Sequence, residues 1–495
     1  MDGERIGALK ARAQQQVAAW DVPGLALGVL QGGQTLLCTG IGQRDENGQP
    51  WDGDTLFEIG SCSKAFTSAA AMILCERGLL DLDAPVVTYL PEFRLMDDYA
   101  TAQVTARDLL SHRSGLPRHE YAWYRTDFTR QQLVHNLRFL QPNLELRGGF
   151  QYNNLGYVLV GYLIERLTGV SWEDFVRKEL LQPLHMDRTS MWIDEALEKG
   201  NCAQPFDRPE LYGESGHTRI PFYRTPVEDW KAGVGAPYGP AGSIFSSAGD
   251  MLKWAAFQLG DGATPDGTRI LSPESMAQMH KPHTIVYGAT QANGRSLASY
   301  CLGWQTFMYA GHKVLTHNGG IDGFTTSLYL VPDLQLAAIT NVNMTTCMLC
   351  EAAANDVVNT FSGVDADVYD AFRKLNHNMF EELKAYAASV RGTPVPGTSP
   401  SRALSGFAGT YRAPGYTDLV VREQNGALEM QFIGYTVPLK HFHYDVFELD
   451  GYVGELPPGL TVQFHSGADG AVKRLSIPLV ADPGVDPICF GKVEN

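Results

Sequence analysis

Apolar positions follow a helical period at the start of the chain and a strand-like pattern soon afterwards. The first apolar residues have the spacing of an amphipathic helix: Ile6, Leu9, Ala13, Val17 and Trp20. Two strand-like runs at 25–30 and 34–42 are joined at Gly32-Gly33 and predict a hairpin. Residues 65–77 are rich in Ala, Met, Ile and Leu and predict a buried helix.

The later pattern completes an α+β domain. Helical patches and loops continue to about residue 302, strand-like runs return at 324–330 and 335–339, and a helical stretch covers 368–390. We therefore predict a mostly antiparallel sheet that is flanked by helices and accompanied by a helical region.

The character of the chain changes after residue 391. Residues 392–403 are rich in Pro, Gly, Ser and Thr, which is typical of a linker. Beyond them, short alternating runs separated by turns predict a small all-β barrel: 419–421, 428–432, 446–449 and 460–464. We predict an α+β domain at 1–391, a linker at 392–403 and a barrel domain at 404–495.

Charge and hydrophobicity exclude several partners. The 495 residues carry 39 basic against 55 acidic side chains, a net charge of −16, with no Lys/Arg-rich run. An acidic surface repels nucleic acid and anionic membranes, so we expect neither as a partner. No apolar run approaches the ~20 residues of a membrane span, and the N-terminus lacks a secretory signal. We therefore expect a cytoplasmic protein, and a homo-oligomer is left open.

The cysteines predict neither disulfides nor a metal site. All eight are scattered, and Cys347-Met-Leu-Cys350 has no second such pair and no His pair nearby. We expect most of them to be buried thiols in a reducing compartment, with no metal and no cofactor.

Ser61-Cys62-Ser63-Lys64 is the first candidate for chemistry, because it opens the predicted buried helix. Backbone N–H groups at a helix start favour developing negative charge, and Lys64 lies one turn from Ser61 on the same face. A desolvated lysine has a lowered pKa and can act as a general base. A helix-capping serine with a solvated lysine is the alternative. Ser63 is the competing nucleophile, but it points from another face.

Two further motifs follow in the sequence. Tyr152 and Asn154 stand in a loop before an apolar helix, where they could supply a proton relay and an amide arm, or simply form a turn. His317 precedes Gly319 and Gly320 near a late strand. The glycines permit close backbone approach, so the N–H of Gly320 could pair with that of Ser61 as an oxyanion hole. His317 could hold or polarise a substrate, or the segment could be a hairpin turn.

The order Ser-x-x-Lys, Tyr-x-Asn, His-x-Gly resembles the serine β-lactamase and penicillin-binding protein superfamily. Segments 57–67, 109–117, 152–157 and 239–250 resemble its class C branch, which includes D-stereospecific aminopeptidases and esterases. The resemblance covers about residues 5–365. From residue 409 onward, the chain resembles the lipocalin-like barrel that is appended to some of these hydrolases.

The resemblance implies a role for each motif. Ser61 would be the acylated nucleophile and Lys64 its base, while Tyr152 would share proton transfer to the leaving group and then help to activate water. Asn154 would hold a substrate amide, and the N–H groups of Ser61 and Gly320 would form the oxyanion hole. The reaction would run in two steps through an acyl-enzyme.

His317 departs from the lysine that β-lactamases usually have at this position. Because histidine is mostly neutral at pH 7, it attracts a substrate carboxylate less strongly. This favours a serine hydrolase that acts on a small peptide, amide or ester, including D-configured ones. Three alternatives remain open: an acyltransferase or peptide cyclase with the same acyl-enzyme, a β-lactam-binding protein or weak β-lactamase, and a non-catalytic ligand sensor.

Two other features are interpreted as structural or left open. His112, in Leu-Ser-His-Arg-Ser-Gly-Leu-Pro, is interpreted as part of a structural loop rather than as a catalytic residue. Three aromatic residues that follow could line the substrate cleft or be ordinary packing: Tyr121, Trp123 and Tyr124.

Overall fold

An antiparallel sheet forms the centre of the first part of the protein. A computed structural model describes residues 2–207, 216–264, 266–286, 294–451, 456 and 459–494. Within these residues the sheet has eight strands, in the spatial order Gln34–Gly42, Gly24–Gln31, Leu336–Val342, Phe324–Val331, His312–Ile321, Gln305–Tyr309, Ser296–Tyr300 and Thr284–Ile285. The N-terminal hairpin and the late strands therefore belong to one sheet.

Alternation along each strand buries both faces of this sheet. In Gly24–Gln31, Leu25, Leu27 and Val29 pack into one apolar cluster, while Ala26 and Leu30 pack into another on the opposite side. This is the period of two that a strand imposes on its side chains. Because both sides are apolar, helices cover both faces.

Helices flank the sheet and build the helical region. In the described part of the chain the α-helices are Asp2–Ala19, Ser63–Glu76, Asp98–Gln103, Ala106–Leu110, Arg130–Asn136, Asn154–Thr168, Trp172–Val176, Ile193–Lys199, Gly239–Gly242, Ala248–Leu259, Pro273–His280, Leu349–Ser362 and Val368–Arg391. Leu9, Ala13 and Val17 of the first helix pack with Leu349–Ser362 on one face of the sheet. Ala248–Leu259 lies on the other face, where Gly28 allows Leu252 to come close.

Short strands connect the sheet to the helical region. Phe57–Glu58 pairs with Phe245–Ser246, and Phe206–Asp207 pairs with Thr218–Arg219. The chain leaves Phe57–Glu58 and turns directly into the helical segment that carries Ser61. The first of these pairs therefore places the candidate nucleophile between the sheet and the helices.

The C-terminal part closes into a barrel. Residues 392–403 carry neither helix nor strand. In the described residues that follow, eight antiparallel strands close on themselves: Gly409–Arg412, Leu419–Gln424, Ala427–Phe432, Tyr435–His443, Val446–Leu449, Thr461–Ser466, Val472–Ile477 and Ile488–Lys492. Alternating apolar side chains fill the interior, including Leu428, Met430 and Phe432.

The predicted fold class is confirmed. Predicted elements at 34–42 and 446–449 have the observed bounds, and the helix predicted at 65–77 spans Ser63–Glu76. The segment from His317 to Gly320 belongs to the strand His312–Ile321 and is not a turn. The turn falls at Asp322-Gly323, between this strand and the next.

Candidate active site

Ser61 lies where the chain turns from a strand into a helix. A short 3₁₀ segment, Gly60–Cys62, leads into the helix Ser63–Glu76. Gly60 has φ +51°, a left-handed conformation that favours glycine. A Cβ atom at Gly60 would lie 2.9 Å from the backbone nitrogen of Gly320. The missing side chain therefore lets the start of this helix approach the Gly320 strand.

Lys64 is fully buried and its ammonium nitrogen contacts Ser61. The Nζ atom lies 2.9 Å from the Oγ atom of Ser61, 2.8 Å from the Oδ1 atom of Asn154 and 2.7 Å from the carbonyl oxygen of Ala241. No carboxylate is among these contacts. Burial lowers the pKa of Lys64 well below its usual range, and the positive charge of Arg118 lowers it further. The predicted pairing of Ser61 with Lys64 is present.

Tyr152 also contacts Ser61. Its hydroxyl donates a hydrogen bond of 2.8 Å to Ser61 Oγ. The loop holds this position because Asn153 caps the helix Asn154–Thr168, accepting a hydrogen bond from the N–H of Gly156. Burial raises the pKa of Tyr152 to about 12, although the charge of Arg118 acts in the opposite direction. Tyr152 is therefore protonated at neutral pH.

Ser63 is placed away from these groups. It is fully buried, and its Oγ atom accepts a hydrogen bond of 3.2 Å from the N–H of Ile244. Ser61, in contrast, borders the cavity. The geometry therefore favours Ser61 over Ser63 as the nucleophile.

Gly319 and Gly320 bring the end of a strand against Ser61. The strand Gln305–Tyr309 pairs with residues 312–316 only, so the edge from His317 onward is free to face the segment Gly60–Cys62. A Cβ atom at Gly319 would lie 1.9 Å from the carbonyl oxygen of Ile59, so this contact requires glycine. Gly320 is exposed and borders the same cavity as Ser61. The start of the helix and the strand of Gly320 therefore meet beside the cavity.

His317 lies behind the cavity wall. Only 2% of it is exposed; Nε2 lies 2.8 Å from the hydroxyl of Tyr300, and Nδ1 lies 2.7 Å from the carbonyl oxygen of Asn318. Since a carbonyl only accepts, Nδ1 carries the proton and Nε2 accepts from Tyr300. Burial, with the nearby charge of Lys64, lowers the pKa of His317 to about 3. The ring is neutral, holds Tyr300 and presents no free nitrogen to the cavity.

The cavity next to Ser61 has a volume of about 430 Å³. Asn154 and Gly320, for which substrate-binding roles are predicted, border it. The three aromatic residues whose role the sequence left open line it as well: Tyr121, Trp123 and Tyr124. Its size suits a small ligand.

Charged groups that the sequence did not single out also line the cavity. The Cζ atom of Arg118 lies 4.9 Å from the centre of the Tyr152 ring, and its guanidinium donates a hydrogen bond to the carboxylate of Glu120. The hydroxyl of Tyr124 donates to the carboxylate of Asp322. Arg118 directly follows the Gly-Leu-Pro motif, and Asp322 stands two positions after Gly320. In the sequence, their position beside these motifs is the only indication that Arg118 and Asp322 belong to the site.

The barrel forms one wall of the cavity. Residues 479–482 follow its strand Val472–Ile477, and all four line the cavity. Asp482 accepts a hydrogen bond of 3.0 Å from the side chain of Gln151, the residue before Tyr152. Tyr416 of the barrel lies 2.9 Å from the Nδ1 atom of His119. The sequence carried no signal for this wall, because these contacts join residues more than 290 positions apart.

Comparison with known proteins shows which family the chain belongs to. The family model described as Beta-lactamase matches residues 9–355. The chain belongs to this β-lactamase family. A model described as a domain of unknown function (DUF3471) matches residues 393–492. The family is one of serine hydrolases with acyl-enzyme chemistry, so this chain is a serine-hydrolase family member.

Two curated relatives and one solved structure illustrate the likeness. The chain is 29% identical to the "Unguisins hydrolase ungD'" of Aspergillus campestris, over 82% of this chain and 76% of the relative. It is 30% identical to "Penicillin-binding protein 4" of Amycolatopsis lactamdurans, over 63% and 78%. The octameric penicillin-binding protein homologue from Pyrococcus abyssi shares the fold, with a TM-score of 0.61 and 20% identity over 98% of this chain and 99% of that one.

No helix among the described residues of this β-lactamase family member combines the length and the apolarity that crossing a membrane would require.

Proposed function

We propose that this protein hydrolyses a small peptide, amide or ester through an acyl-enzyme on Ser61. The observation that carries the proposal is the double contact at Ser61 Oγ, which lies 2.9 Å from Lys64 Nζ and 2.8 Å from the Tyr152 hydroxyl. One group can remove the proton of the serine while the other supplies a proton to the leaving group. This is the arrangement that an activated nucleophile requires.

Lys64 acts as the base because of its burial and its hydrogen-bond partners. A neutral amine has two N–H donors and one lone pair. Two of the three contacts of Nζ, the oxygens of Asn154 and Ala241, can only accept, so they take both hydrogens. The lone pair then faces Ser61 Oγ and can accept its proton. Burial lowers the pKa of Lys64 well below its usual range, which makes this neutral form easier to reach.

Tyr152 is the proton donor in the same step. Its raised pKa keeps the hydroxyl protonated, which suits it to protonate a leaving group rather than to deprotonate Ser61. After the leaving group has departed, water takes its place beside Tyr152 and Lys64. The water gives a proton to the Tyr152 phenolate as its oxygen bonds to the acyl carbon, and Lys64 returns its proton to Ser61 Oγ as the bond between Ser61 and the acyl group breaks.

The backbone N–H groups of Ser61 and Gly320 stabilise the oxyanion in both steps. Gly60 and Gly319 keep the two segments in contact, and Gly320 is open to the cavity. Asn154 borders the cavity beside Lys64 and binds an amide of the substrate. A pair of fixed N–H donors is worth several kcal/mol at such a site.

The substrate is small and does not depend on a cation at position 317. His317 is neutral and buried, so the fixed positive charge that attracts the carboxylate of a β-lactam is missing at that position. Arg118 is a cation of the cavity wall, but Glu120 neutralises it. These charges favour neutral or amine-bearing peptides, amides and esters as substrates, including D-configured ones. The name of the Aspergillus campestris relative supports hydrolysis as the outcome.

We also propose self-association as a property to be tested, because the shared fold extends to an octameric homologue. Light scattering after size-exclusion chromatography would give the number of subunits directly. A monomer at all protein concentrations would contradict this part of the proposal.

A kinetic panel tests the activity. Purified protein is assayed with D- and L-aminoacyl p-nitroanilides, short-chain p-nitrophenyl esters and a chromogenic cephalosporin, and Ser61→Ala serves as the blank. We expect turnover of an anilide or ester that Ser61→Ala lacks, and slow turnover of the cephalosporin. Equal rates for the two proteins on every substrate would overturn the proposal.

A further inference from the structure

His112 is buried directly behind Tyr152. It is 1% exposed, and the centres of its ring and the Tyr152 ring lie 4.2 Å apart. Its φ of +55° places it in the left-handed region, which histidine adopts more readily than most residues. His112 does not line the cavity beside Ser61. Any effect on the reaction must therefore act through a neighbour.

Two hydrogen bonds that His112 accepts lie on either side of Tyr152 along the backbone. The carbonyl oxygen of His112 accepts the N–H of Gln151 at 2.8 Å, and its Nδ1 atom accepts the N–H of Asn153 at 3.1 Å. The residues before and after Tyr152 are thus fixed by the same histidine. The His112 ring, tilted by 36° against the Tyr152 ring, packs on the side chain between them.

The second bond requires a neutral ring. Nδ1 accepts a hydrogen bond, so the proton must be on Nε2, a buried atom without a hydrogen-bond partner among the described residues. Tyr157 and Tyr300 pack around the ring, with centres 5.3 Å and 4.5 Å away. Burial lowers the pKa of His112 well below its usual range, and the nearby positive charges of Lys64 and Arg118, together with His317, act in the same direction. The acceptor at Nδ1 is therefore preserved.

We propose that His112 is a positioning residue that holds the Tyr152 hydroxyl at Ser61 Oγ. The inference rests on the proposed function, because it assigns His112 to the proton donor of that reaction. A shift of about 1 Å in a reacting group costs on the order of 100-fold in rate. Losing the Nδ1 bond frees the backbone at Asn153 and lets Tyr152 move by such an amount.

Asparagine and glutamine at position 112 form a matched pair of test variants. The side-chain oxygen of asparagine stands at the same number of bonds from Cα as Nδ1, so His112→Asn can still accept the N–H of Asn153. In His112→Gln the amide stands at the position of Nε2 and does not reach that N–H. Each variant is made in the wild-type protein and in Tyr152→Phe, and thermal unfolding records whether each one folds.

The readout is turnover of an aminoacyl p-nitroanilide, whose leaving nitrogen needs a proton, followed to saturation so that the maximal rate and the half-saturating concentration are separated. Covalent labelling of Ser61 by a fluorophosphonate probe is recorded in parallel, to show that the nucleophile itself reacts. We expect His112→Gln to lower the maximal rate about tenfold or more with little change in half-saturation, and His112→Asn to stay within about threefold of wild type. In the Tyr152→Phe background we expect the two variants to turn over the anilide at the same rate.

Other outcomes overturn specific claims. An equal loss in His112→Asn and His112→Gln, or a loss in His112→Gln that persists undiminished in Tyr152→Phe, refutes the positioning role. A wild-type rate in His112→Gln also refutes it, while Ser61 chemistry stands. Failure of the wild-type protein to label at Ser61 refutes the proposed function itself.

Discussion

Lys64 Nζ lies 2.9 Å from Ser61 Oγ although the side chain of Lys64 has no exposed surface. A lysine that is buried without a carboxylate partner would destabilise the fold if it stayed charged. Here its other contacts are two acceptor oxygens, those of Asn154 and Ala241. The site therefore holds an amine in the state that can take a proton from the serine.

The lowered pKa of Lys64 predicts how the rate depends on pH. Lys64 must be neutral to act as a base, so the rate rises as pH increases through its lowered pKa and falls only when Tyr152 loses its proton at about 12. Because arginine stays positively charged at every accessible pH, we expect Lys64→Arg to lower the rate by about 100-fold or more at every pH. Measuring the rate as a function of pH for both proteins tests this prediction. A wild-type rate that falls between about pH 6 and 9 would contradict it.

Tyr152→Phe removes the proton donor and leaves the ring in place. A p-nitroanilide needs a proton on its leaving nitrogen, whereas p-nitrophenolate departs without one. We therefore expect a loss of on the order of 100-fold for an anilide and a much smaller loss for an ester. Tyr300→Phe is the matched control, because its hydroxyl bonds to His317 and not to Ser61. Equal losses for the two substrates would contradict the assigned role.

Gly319 and Gly320 form a second matched pair. A methyl group at Gly319 would overlap the carbonyl oxygen of Ile59, whereas one at Gly320 would meet no atom within 4 Å. We expect Gly319→Ala to lose about 1–3 kcal/mol of unfolding free energy and on the order of 100-fold in activity. Gly320→Ala should keep the wild-type stability. Urea denaturation measures the unfolding free energy of each variant, and rate measurements give the activity. Equal unfolding free energies in the two variants would contradict the prediction.

Because the barrel forms one wall of the cavity, a larger side chain on that wall should restrict the size of the substrate that the cavity accepts. Val480 lines the cavity, so Val480→Trp should lower the rate on a long-chain p-nitrophenyl ester relative to the acetate by about tenfold. Val420→Trp places the same substitution on a barrel strand that does not line the cavity. The ratio of kcat/KM for the two esters is the measurement. An unchanged ratio in Val480→Trp would show that the wall does not limit the substrate.

The sequence predicted the elements and the groups that lie close together along the chain. Ser61 and Lys64 are one helical turn apart, so their contact follows from helix geometry alone. Tyr152 was identified by the order of motifs, and the structure places it at Ser61. The domain boundary at 392–403 and the role assigned to each site residue remain predictions.

Contacts between distant segments could not be predicted in the same way. His317 was expected to face a substrate, but its ring turns toward Tyr300 on a different strand, a contact that only the assembled sheet creates. The role of His112 behind Tyr152 depends on how two loops meet. The wall formed by residues 479–482 depends on how the barrel docks, and no local pattern encodes that.

Mass spectrometry of the intact protein after reaction with a fluorophosphonate probe tests the central claim most directly. The account predicts a single adduct, located by peptide mapping at Ser61, that is absent from Ser61→Ala and forms slowly in Lys64→Arg. An adduct on Ser63, or one that survives Ser61→Ala, would contradict the assignment of Ser61 as the nucleophile.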